Sequence, residues 1–214
     1  MVTPDLRGSR RRFFSTPSQA FGYPYSVRRS RRRWILALFL CLALISVGAF
    51  YFWQGQLERS QDKPIRAAAA RYQVEPALVK AIVWRESRFH PDVRGRAKEI
   101  GLMQIQEDAA REWADAEHIP GFQHEHCFDP QTNTLAGTWY LKKLLARYTR
   151  ADDPLPYALA DYNAGRGNVL KWNHGEAATN SAAFIEQIGF PGTKDYVQTV
   201  MRRYAMYRPA FTDK

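Results

Sequence analysis

A run of twenty residues without a charged side chain, from Trp34 to Trp53, constrains this chain more than any other feature. As an α-helix rising about 1.5 Å per residue, the run is about 30 Å long, which matches the hydrocarbon core of a bilayer. Tryptophan lies at both ends, and aromatic side chains favour the interface between membrane and water. The run therefore predicts a transmembrane helix over residues 34–53.

Two alternatives to a transmembrane helix fit this run less well. A buried core helix of a soluble protein normally keeps a polar face, and this segment has none. A cleaved signal peptide usually has a shorter apolar region with small residues before the cut. Val47-Gly48-Ala49 offers only a weak cleavage site, and Ser30-Arg31-Arg32-Arg33-Trp34-Ile35 only loosely follows a twin-arginine pattern. We expect an uncleaved anchor.

The residues before the run carry most of the charge of the chain. Residues 1–33 contain nine arginines, no lysine and one acid, so they hold +8 of the net +10. The remainder is only +2, and the high pI therefore does not predict a nucleic-acid-binding surface on the folded part. Arginines before a span favour the cytoplasmic side. We expect residues 1–33 to be a disordered cytosolic arm of a single-pass protein of the cytoplasmic (inner) membrane, with everything after residue 53 outside the cytoplasm.

The rest of the chain predicts one helical domain. Residues 54–65 are polar and indicate a short linker, and residues 66–210 suit one compact domain. No alternating strand pattern of useful length occurs, so the fold class is mainly α. The predicted helices are one that starts at Pro76, one over 132–148, one that ends in a left-handed stop at Gly165, and three over 168–172, 181–188 and 194–207.

One carboxylate ends an apolar helical pattern in this domain. Leu78, Ile82 and Glu86 recur every fourth residue and so share one stripe of a helix. A carboxyl group in apolar surroundings holds its proton to higher pH, because its ionised form is poorly solvated there. Such a group suits a general acid that protonates a glycosidic oxygen. Taken alone, however, a glutamate at a helix end is usually a solvated surface acid.

Four segments, read together, resemble the catalytic domain of soluble-type lytic transglycosylases, which are relatives of goose-type lysozyme. They are ESRFHPDVRGRAKEIGLMQI from Glu86, CFDPQTNTLAGTWYLKKLL from Cys127, ALADYNAGRGNVLKW from Ala158 and IGFPGTKDYV from Ile188. The resemblance covers about residues 64–207. It implies a small, lysozyme-like helical domain that binds and cleaves the glycan strands of peptidoglycan without a cofactor or a metal.

The resemblance also implies a role for individual residues. It makes Glu86 the sole catalytic acid and base, and Ser87 a residue that positions this acid or the substrate. We expect the hydroxyl of Tyr162 beside the acid, whereas Ser87 and Asn163 could equally be structural residues at helix ends. Many relatives carry a glutamate where this chain has Gly192, so that wall of the cleft lacks a carboxylate. The substrate-binding residues implied are Ser87, Gly101, Leu102, Met103, Gln104, Tyr162, Asn163 and Tyr196.

The implied reaction cleaves the bond between N-acetylmuramic acid and N-acetylglucosamine and leaves a 1,6-anhydro end, because the sugar's own C6 hydroxyl closes on C1. One alternative is a hydrolase of the goose-lysozyme type, which needs a second carboxylate. Asp161 is the most plausible one, although helix periodicity turns it about 100° from Tyr162, towards solvent or the rim. Another alternative is an idle glycan-binding scaffold module, against which the intact Glu-Ser pair argues.

A cluster of potential metal ligands competes with this interpretation. His118, His124, His126 and Cys127 lie within one short segment, and imidazole and thiolate bind zinc well. Their spacing does not match a usual zinc finger, so we expect no metal site. Cys41 lies in the apolar run, far from Cys127, and no internal disulfide is expected.

Overall fold

The computed structural model describes residues 26–212, and in this part of the chain the expected mainly helical architecture is confirmed. The described residues form no extended strand, and their β-type pairing is limited to isolated bridges of Ile100 with Arg94 and with Ile105. Short 3₁₀ helices span His124–Phe128 and Gly175–Ala178. The α-helices are α1 (Ser26–Ser60), α2 (Asp62–Tyr72), α3 (Pro76–Ser87), α4 (Glu107–Ala116), α5 (Pro130–Arg147), α6 (Leu155–Ala164), α7 (Arg166–Trp172), α8 (Ser181–Gln187), α9 (Pro191–Tyr207) and α10 (Pro209–Thr212).

Helix α1 contains the apolar run and is longer than the sequence predicts. Its large apolar side chains are exposed from Trp34 to Trp53, and the helix is long and apolar enough to cross a membrane. It begins at Ser26, within the predicted disordered arm, whereas residues 1–25 of that arm lie outside the described part. It ends only at Ser60, because residues 54–60 are mostly good helix formers without a proline.

The predicted linker is therefore helical over most of its length. Helix α2 starts at Asp62, so Gln61 separates it from α1. Leu57, near the end of α1, packs against the core of the domain, and Ile65 in α2 is fully buried. Residues 54–65 are helical instead of forming a linker because the apolar residues within this polar stretch give it a face that packs against the domain.

Helix α3 is the central element of the domain. Seven of its residues in a row, Ala77 to Val83, are buried, and it packs against α9. Pro76 lies in the first turn of the helix, where its missing N–H is harmless, as the sequence predicts. The exception to the apolar burial is Lys80, whose ammonium pairs with Glu58 at 3.1 Å and with Asp62 at 2.8 Å. These contacts tie the beginning of the domain to α3.

A loop between α3 and α4 is held against α5 by one asparagine. Asn133 donates to the carbonyls of Ile100 (2.9 Å) and Cys127 (2.8 Å), and its own carbonyl accepts from the N–H of Met103 (2.7 Å). A Cβ atom at Gly101 would lie 2.1 Å from the Asn133 amide nitrogen, and Gly101 has φ +77°. Only glycine fits there, so Gly101 is required by the loop itself.

The remaining sequence-predicted helices occur at the expected places, with boundaries shifted by a few residues. The predicted helix over 132–148 is α5, and those over 168–172, 181–188 and 194–207 are α7, α8 and α9. The predicted left-handed stop at Gly165 is wrong in one respect. Its φ of +79° is positive, but its ψ of 155° is extended, because the chain turns directly into α7 instead of completing a left-handed cap.

Candidate active site

Glu86 lies in the last turn of α3, at the floor of a cleft of ≈ 320 Å³. The side chain is only partly exposed. The loop before α4 and the start of α4 form one wall of the cleft. The end of α6 forms the opposite wall. The lining residues are Glu86, Glu99, Gln104, Ile105, Gln106, Ala109, Tyr140, Asp161, Tyr162, Asn163, Ala164 and Gly165.

The carboxyl group of Glu86 is built to keep its proton. Burial raises its pKa to about 7, against the lowering by a hydrogen bond from Tyr196 and by the charge of Arg85. Among the described residues no cation forms an ion pair with it. Because desolvation disfavours the ionised form more than Tyr196 and Arg85 favour it, a large fraction of Glu86 is protonated at neutral pH. The group can therefore donate a proton and later accept one.

Tyr196 is the residue that holds the acid in place. Its hydroxyl donates to Oε1 of Glu86 at 2.6 Å, and its side chain is 1% exposed. It lies on α9, which packs along α3, so the packing of these two helices fixes the distance. The guanidinium of Arg85 lies 5.4 Å from the centre of the Tyr196 ring. Tyr196 therefore acts on Glu86 from the protein side of the cleft.

Ser87 faces the protein and not the cleft. It is buried, and its hydroxyl donates to the carbonyls of Leu102 (2.8 Å) and Val83 (3.1 Å). The bond to Leu102 fastens the end of α3 to the loop that forms one wall. Because Ser87 is buried and does not line the cleft, its place fits the positioning of the acid better than contact with a substrate.

In the segment from Gly101 to Gln104, some side chains lie in the core and others line the cleft. Leu102 and Met103 are fully buried, so their side chains do not line the cleft as the resemblance implies. Gln104 does line it, and its amide nitrogen donates to the carbonyls of Gly101 (2.8 Å) and Val93 (3.1 Å). Gln104 has φ +46°, which turns the chain sharply at the cleft wall.

The opposite wall is formed by Tyr162 and Asn163 at the end of α6. The hydroxyl of Tyr162 donates to the carbonyl of Met103 at 2.8 Å, so it joins the two walls. The tyrosine that donates a hydrogen bond to the acid is Tyr196, whereas Tyr162 interacts with Glu86 only electrostatically. The side-chain oxygen of Asn163 accepts from the hydroxyl of Thr193 at 2.9 Å. The neighbouring Gly192 has open space around it, so no side chain extends the wall there.

Asp161 does not face solvent or the rim, contrary to the sequence-based expectation. It is 2% exposed, and its Oδ2 accepts from the Arg147 guanidinium at 2.5 Å and from the Tyr148 hydroxyl at 2.6 Å. Although Asp161 contributes atoms to the cleft boundary, its carboxylate is occupied by partners on α5 and just beyond it. It is therefore not free to hold a water molecule or to attack a sugar.

The His-Cys cluster does not converge on one point. His124 is buried and bonds through Nε2 to the carbonyl of Ile105 at 2.9 Å, while Nδ1 of His126 accepts from the N–H of Gln123 at 3.3 Å. Burial raises the pKa of the Cys127 thiol to about 12. In the described part of the chain, no three His, Cys, Asp or Glu side chains group closely enough to hold a metal ion.

Sequence reasoning missed Glu99, a third carboxylate that lines the cleft beside Glu86 and Asp161. Its negative charge adds to the rise of the pKa of Glu86. The sequence signal was weak, because Glu99 follows three basic residues in a polar stretch that is typical of an exposed loop. Its place depends on the way the loop folds back on itself, which the bridge of Arg94 with Ile100 closes.

Comparison with known proteins agrees with this geometry. The sequence model of the transglycosylase SLT domain matches residues 63–185. The soluble lytic murein transglycosylase of Escherichia coli K12 is 33% identical over 144 residues, which are 66% of this chain and 22% of that protein. The membrane-bound lytic murein transglycosylase C of Yersinia pestis is 33% identical over 148 residues, which are 65% of this chain and 40% of that protein. This chain thus matches between about a fifth and two fifths of these relatives' length.

Solved structures show the same fold. The 70 kDa soluble lytic transglycosylase of Escherichia coli has a TM-score of 0.63 at 30% identity, covering 71% of this chain and 24% of that one. An inactive Glu-to-Gln mutant of the lytic transglycosylase Slt from Pseudomonas aeruginosa has a TM-score of 0.63 at 26% identity, covering 69% and 24%. With a family match over more than half of its length and an acid in the expected cleft, the chain belongs to the transglycosylase SLT domain family.

Proposed function

We propose that this protein is a membrane-anchored lytic transglycosylase that cleaves the β-1,4 bond between N-acetylmuramic acid and N-acetylglucosamine in peptidoglycan. The observation that carries the proposal is Glu86, a carboxyl group at a cleft floor with a pKa of about 7. A carboxyl that is half protonated near neutral pH can serve as acid and as base in one turnover. Membership of a family whose relatives are named lytic murein transglycosylases supports the substrate class.

The reaction follows from a single acid. Protonated Glu86 gives its proton to the glycosidic oxygen as the bond from C1 of the muramic acid to that oxygen breaks. The C6 hydroxyl of the same sugar then bonds to C1, and its proton goes to the Glu86 carboxylate. The product carries a 1,6-anhydro ring, no water is consumed, and the enzyme regains its proton. No step needs a metal or a cofactor.

The other cleft residues hold the glycan or the acid. Gln104, Tyr162 and Asn163 line the cleft and contact the sugars. Tyr196 and Ser87 act through the protein, since the first donates to the acid and the second fastens α3 to the cleft loop. Gly101, Leu102 and Met103 support this wall from the core side.

A hydrolase is the second candidate, and one observation bears on it. Hydrolysis needs a carboxylate that holds or replaces a water. Asp161 is paired with Arg147 and Tyr148 and is unsuited to this task. Glu99 is the other carboxylate at the cleft, so a hydrolytic reaction would have to use it.

Mass spectrometry of the products separates the two reactions. Purified glycan strands are incubated with the detergent-solubilised full chain, with the Glu86→Gln variant as the control for contaminating activity. We expect ends that are lighter than hydrolysed ends by one water, about 18 Da from the stoichiometry of intramolecular attack. Predominantly reducing ends would show that the protein is a hydrolase. Uncleaved glycan strands would refute the proposal that it cleaves peptidoglycan.

The membrane arrangement is part of the proposal. Helix α1 carries exposed apolar side chains along the run and arginines before it, which favours one span with the N-terminus in the cytoplasm. The catalytic domain is then on the outer side of the cytoplasmic membrane, where peptidoglycan is. A tag at the N-terminus should stay on a full-length product that resists alkaline extraction, and protease added to spheroplasts should digest the domain. A soluble product that starts near Phe50 would contradict the anchor.

A further inference from the structure

The loop before α4 carries a carboxylate for which the fold provides room but no partner. Glu99 lines the cleft together with Glu86, and its Oε2 is buried without a hydrogen-bond donor. Within residues 26–212 no cation pairs with it, whereas the buried carboxylate of Asp161 has two donors. A buried acceptor without a donor costs free energy, so each one calls for an explanation.

The local backbone is arranged to hold this side chain in place. The loop turns back between residues 95 and 99, with the N–H of Gly95 donating to the carbonyl of Glu99 at 2.7 Å and the N–H of Lys98 donating to the carbonyl of Gly95 at 3.3 Å. The bridge of Arg94 with Ile100 closes the turn. Glu99 therefore projects from the end of a closed turn, and a freely mobile loop would not define its position.

Gly95 provides the space that the carboxylate occupies. A Cβ atom at position 95 would lie 2.2 Å from both Cδ and Oε1 of Glu99. The φ angle of Gly95 is outside the left-handed region, so its backbone does not require glycine. The absence of a side chain at position 95 thus serves the placement of Glu99 and not the course of the chain.

We propose that Glu99 contacts the substrate: its carboxylate, which lines the cleft, accepts a hydrogen bond from an N–H or O–H group of the sugar bound next to Glu86. The proposal rests on the proposed function, since it takes a glycan as the ligand of the cleft. Hydrogen bonds to a charged acceptor are the stronger ones, and here the donor arrives only with the substrate. The contact gives Glu99 a role in recognition that is separate from the proton transfer by Glu86.

The electrostatic position of Glu99 agrees with this assignment. Its negative charge acts on the carboxyl of Glu86 and helps raise the pKa of that group. The other groups that act on the pKa of Glu86 are the hydroxyl of Tyr196 and the guanidinium of Arg85, and burial and the charge of Glu86 both raise the pKa of Tyr162 on the facing wall. A donor from the sugar that engages Glu99 would therefore lie within the field of the acid.

The test compares Glu99→Ala with Glu99→Gln and with Gly95→Ala in the full-length chain. Alanine removes the acceptor, glutamine keeps a neutral acceptor oxygen, and Gly95→Ala pushes the carboxylate aside while leaving it in the chain. We expect kcat/KM on soluble glycan strands to fall about 10- to 100-fold in Glu99→Ala, less in Glu99→Gln, and in the same direction in Gly95→Ala. Glu125→Ala, which removes an exposed glutamate from the 3₁₀ helix His124–Phe128, should keep wild-type activity.

Thermal unfolding separates a substrate contact from a structural role. Removing an unpartnered buried carboxylate should leave the Tm of Glu99→Ala unchanged or higher, so lost activity without lost stability supports the contact. Full activity in Glu99→Ala would overturn the proposal, and so would a drop in Tm that accounts for the lost activity. A wild-type product with reducing ends that disappear in Glu99→Ala would also overturn it, because Glu99 would then be the base for water.

Binding measurements keep this proposal separate from the proposed function. The affinity of Glu86→Gln for glycan strands is compared with that of the double variant Glu86→Gln/Glu99→Ala, and neither needs turnover. We expect the double variant to bind about tenfold more weakly or worse. If the wild-type protein cleaves nothing, the proposed function fails, while this comparison still decides on Glu99. Equal affinities would refute the contact even in an active enzyme.

Discussion

Two carboxylates of low exposure that line the same cleft have opposite surroundings. Asp161 on α6 accepts from the Arg147 guanidinium and from the Tyr148 hydroxyl, so its charge is compensated. Within residues 26–212, Glu86 on α3 accepts only from the Tyr196 hydroxyl, and burial raises its pKa to about 7. Withdrawal from solvent is common to both, and the presence of a cation is what differs.

This difference shows why burial by itself does not identify a catalytic acid. A buried carboxylate with a guanidinium partner contributes to the fold, and it is chemically occupied. A buried carboxyl that only a neutral phenol contacts keeps its proton and remains available for transfer. Asp161 thus stabilises the fold, whereas Glu86 takes part in the reaction. A substitution at each residue tests its role.

The largest expected effect is the loss of activity in Glu86→Gln. The amide has nearly the same shape and can still accept from Tyr196, but it has no proton to transfer. We expect glycan cleavage to fall by at least about 100-fold, because general acid catalysis is lost. Circular dichroism should show an unchanged helix content. A variant that turns over at the wild-type rate would remove Glu86 from the mechanism.

Asp161→Asn should act on stability rather than on chemistry. The neutral amide leaves the guanidinium of Arg147 without a counter-charge next to the core, at a cost of about 2 kcal/mol in the free energy of unfolding. Chemical denaturation measures this cost, with the exposed Asp115→Asn as the matched control. The folded protein should keep kcat within a few-fold. A stable but inactive Asp161→Asn would return this carboxylate to the reaction and favour a hydrolase.

The stability of Glu86→Gln should exceed that of the wild type at alkaline pH. The pKa of Glu86 is raised in the folded state, so the folded state binds more protons than the unfolded state between about pH 4.5 and 7. Wild-type stability therefore falls as pH rises through this window, while the amide does not titrate. We expect the two proteins to be alike below about pH 4.5 and to differ by about 1–3 kcal/mol at pH 8. Denaturation curves at both pH values would reveal a constant difference if the pKa were ordinary.

Tyr196→Phe should give the smallest change. The lost hydroxyl stabilises the ionised form of Glu86, so its removal raises the pKa further and moves the alkaline limb of the pH–rate profile to higher pH, by less than about one unit. Without this hydrogen bond the Glu86 carboxyl is held less firmly, which should also lower kcat by about tenfold. Tyr157→Phe is the control, since it removes a buried hydroxyl that donates to the Ala177 carbonyl. A limb that moves to lower pH would contradict the role given to Tyr196.

The sequence predicts the elements whose signals are local. Pro76 and the apolar stripe of α3 define that helix, and the transmembrane run of α1 needs only length and composition. Helices α2 and α4 were not predicted, although each has an apolar face that recurs with a helical period; α4 buries Ala110, Trp113 and Ala114 on that face.

The site could be predicted for Glu86 but not for its surroundings. Which tyrosine donates to the acid depends on the packing of α9 against α3, and the family resemblance pointed only to Tyr162 for a hydroxyl beside the acid. Asp161 looked exposed by helix periodicity because its partner Arg147 lies on another helix, fourteen positions away. The turn that brings Glu99 to the cleft depends on Gly95, whose importance is visible only in three dimensions.

The most direct test is a titration of the Glu86 carboxyl itself. ¹³C NMR of the full-length chain with labelled glutamate side chains, solubilised in detergent, would follow every glutamate, and the spectrum of Glu86→Gln would identify the signal that is lost. We predict an apparent pKa of about 7 for that signal. A value near the ordinary pKa of about 4.3 for a solvated glutamate would mean that the group is ionised at neutral pH and cannot be the proton donor.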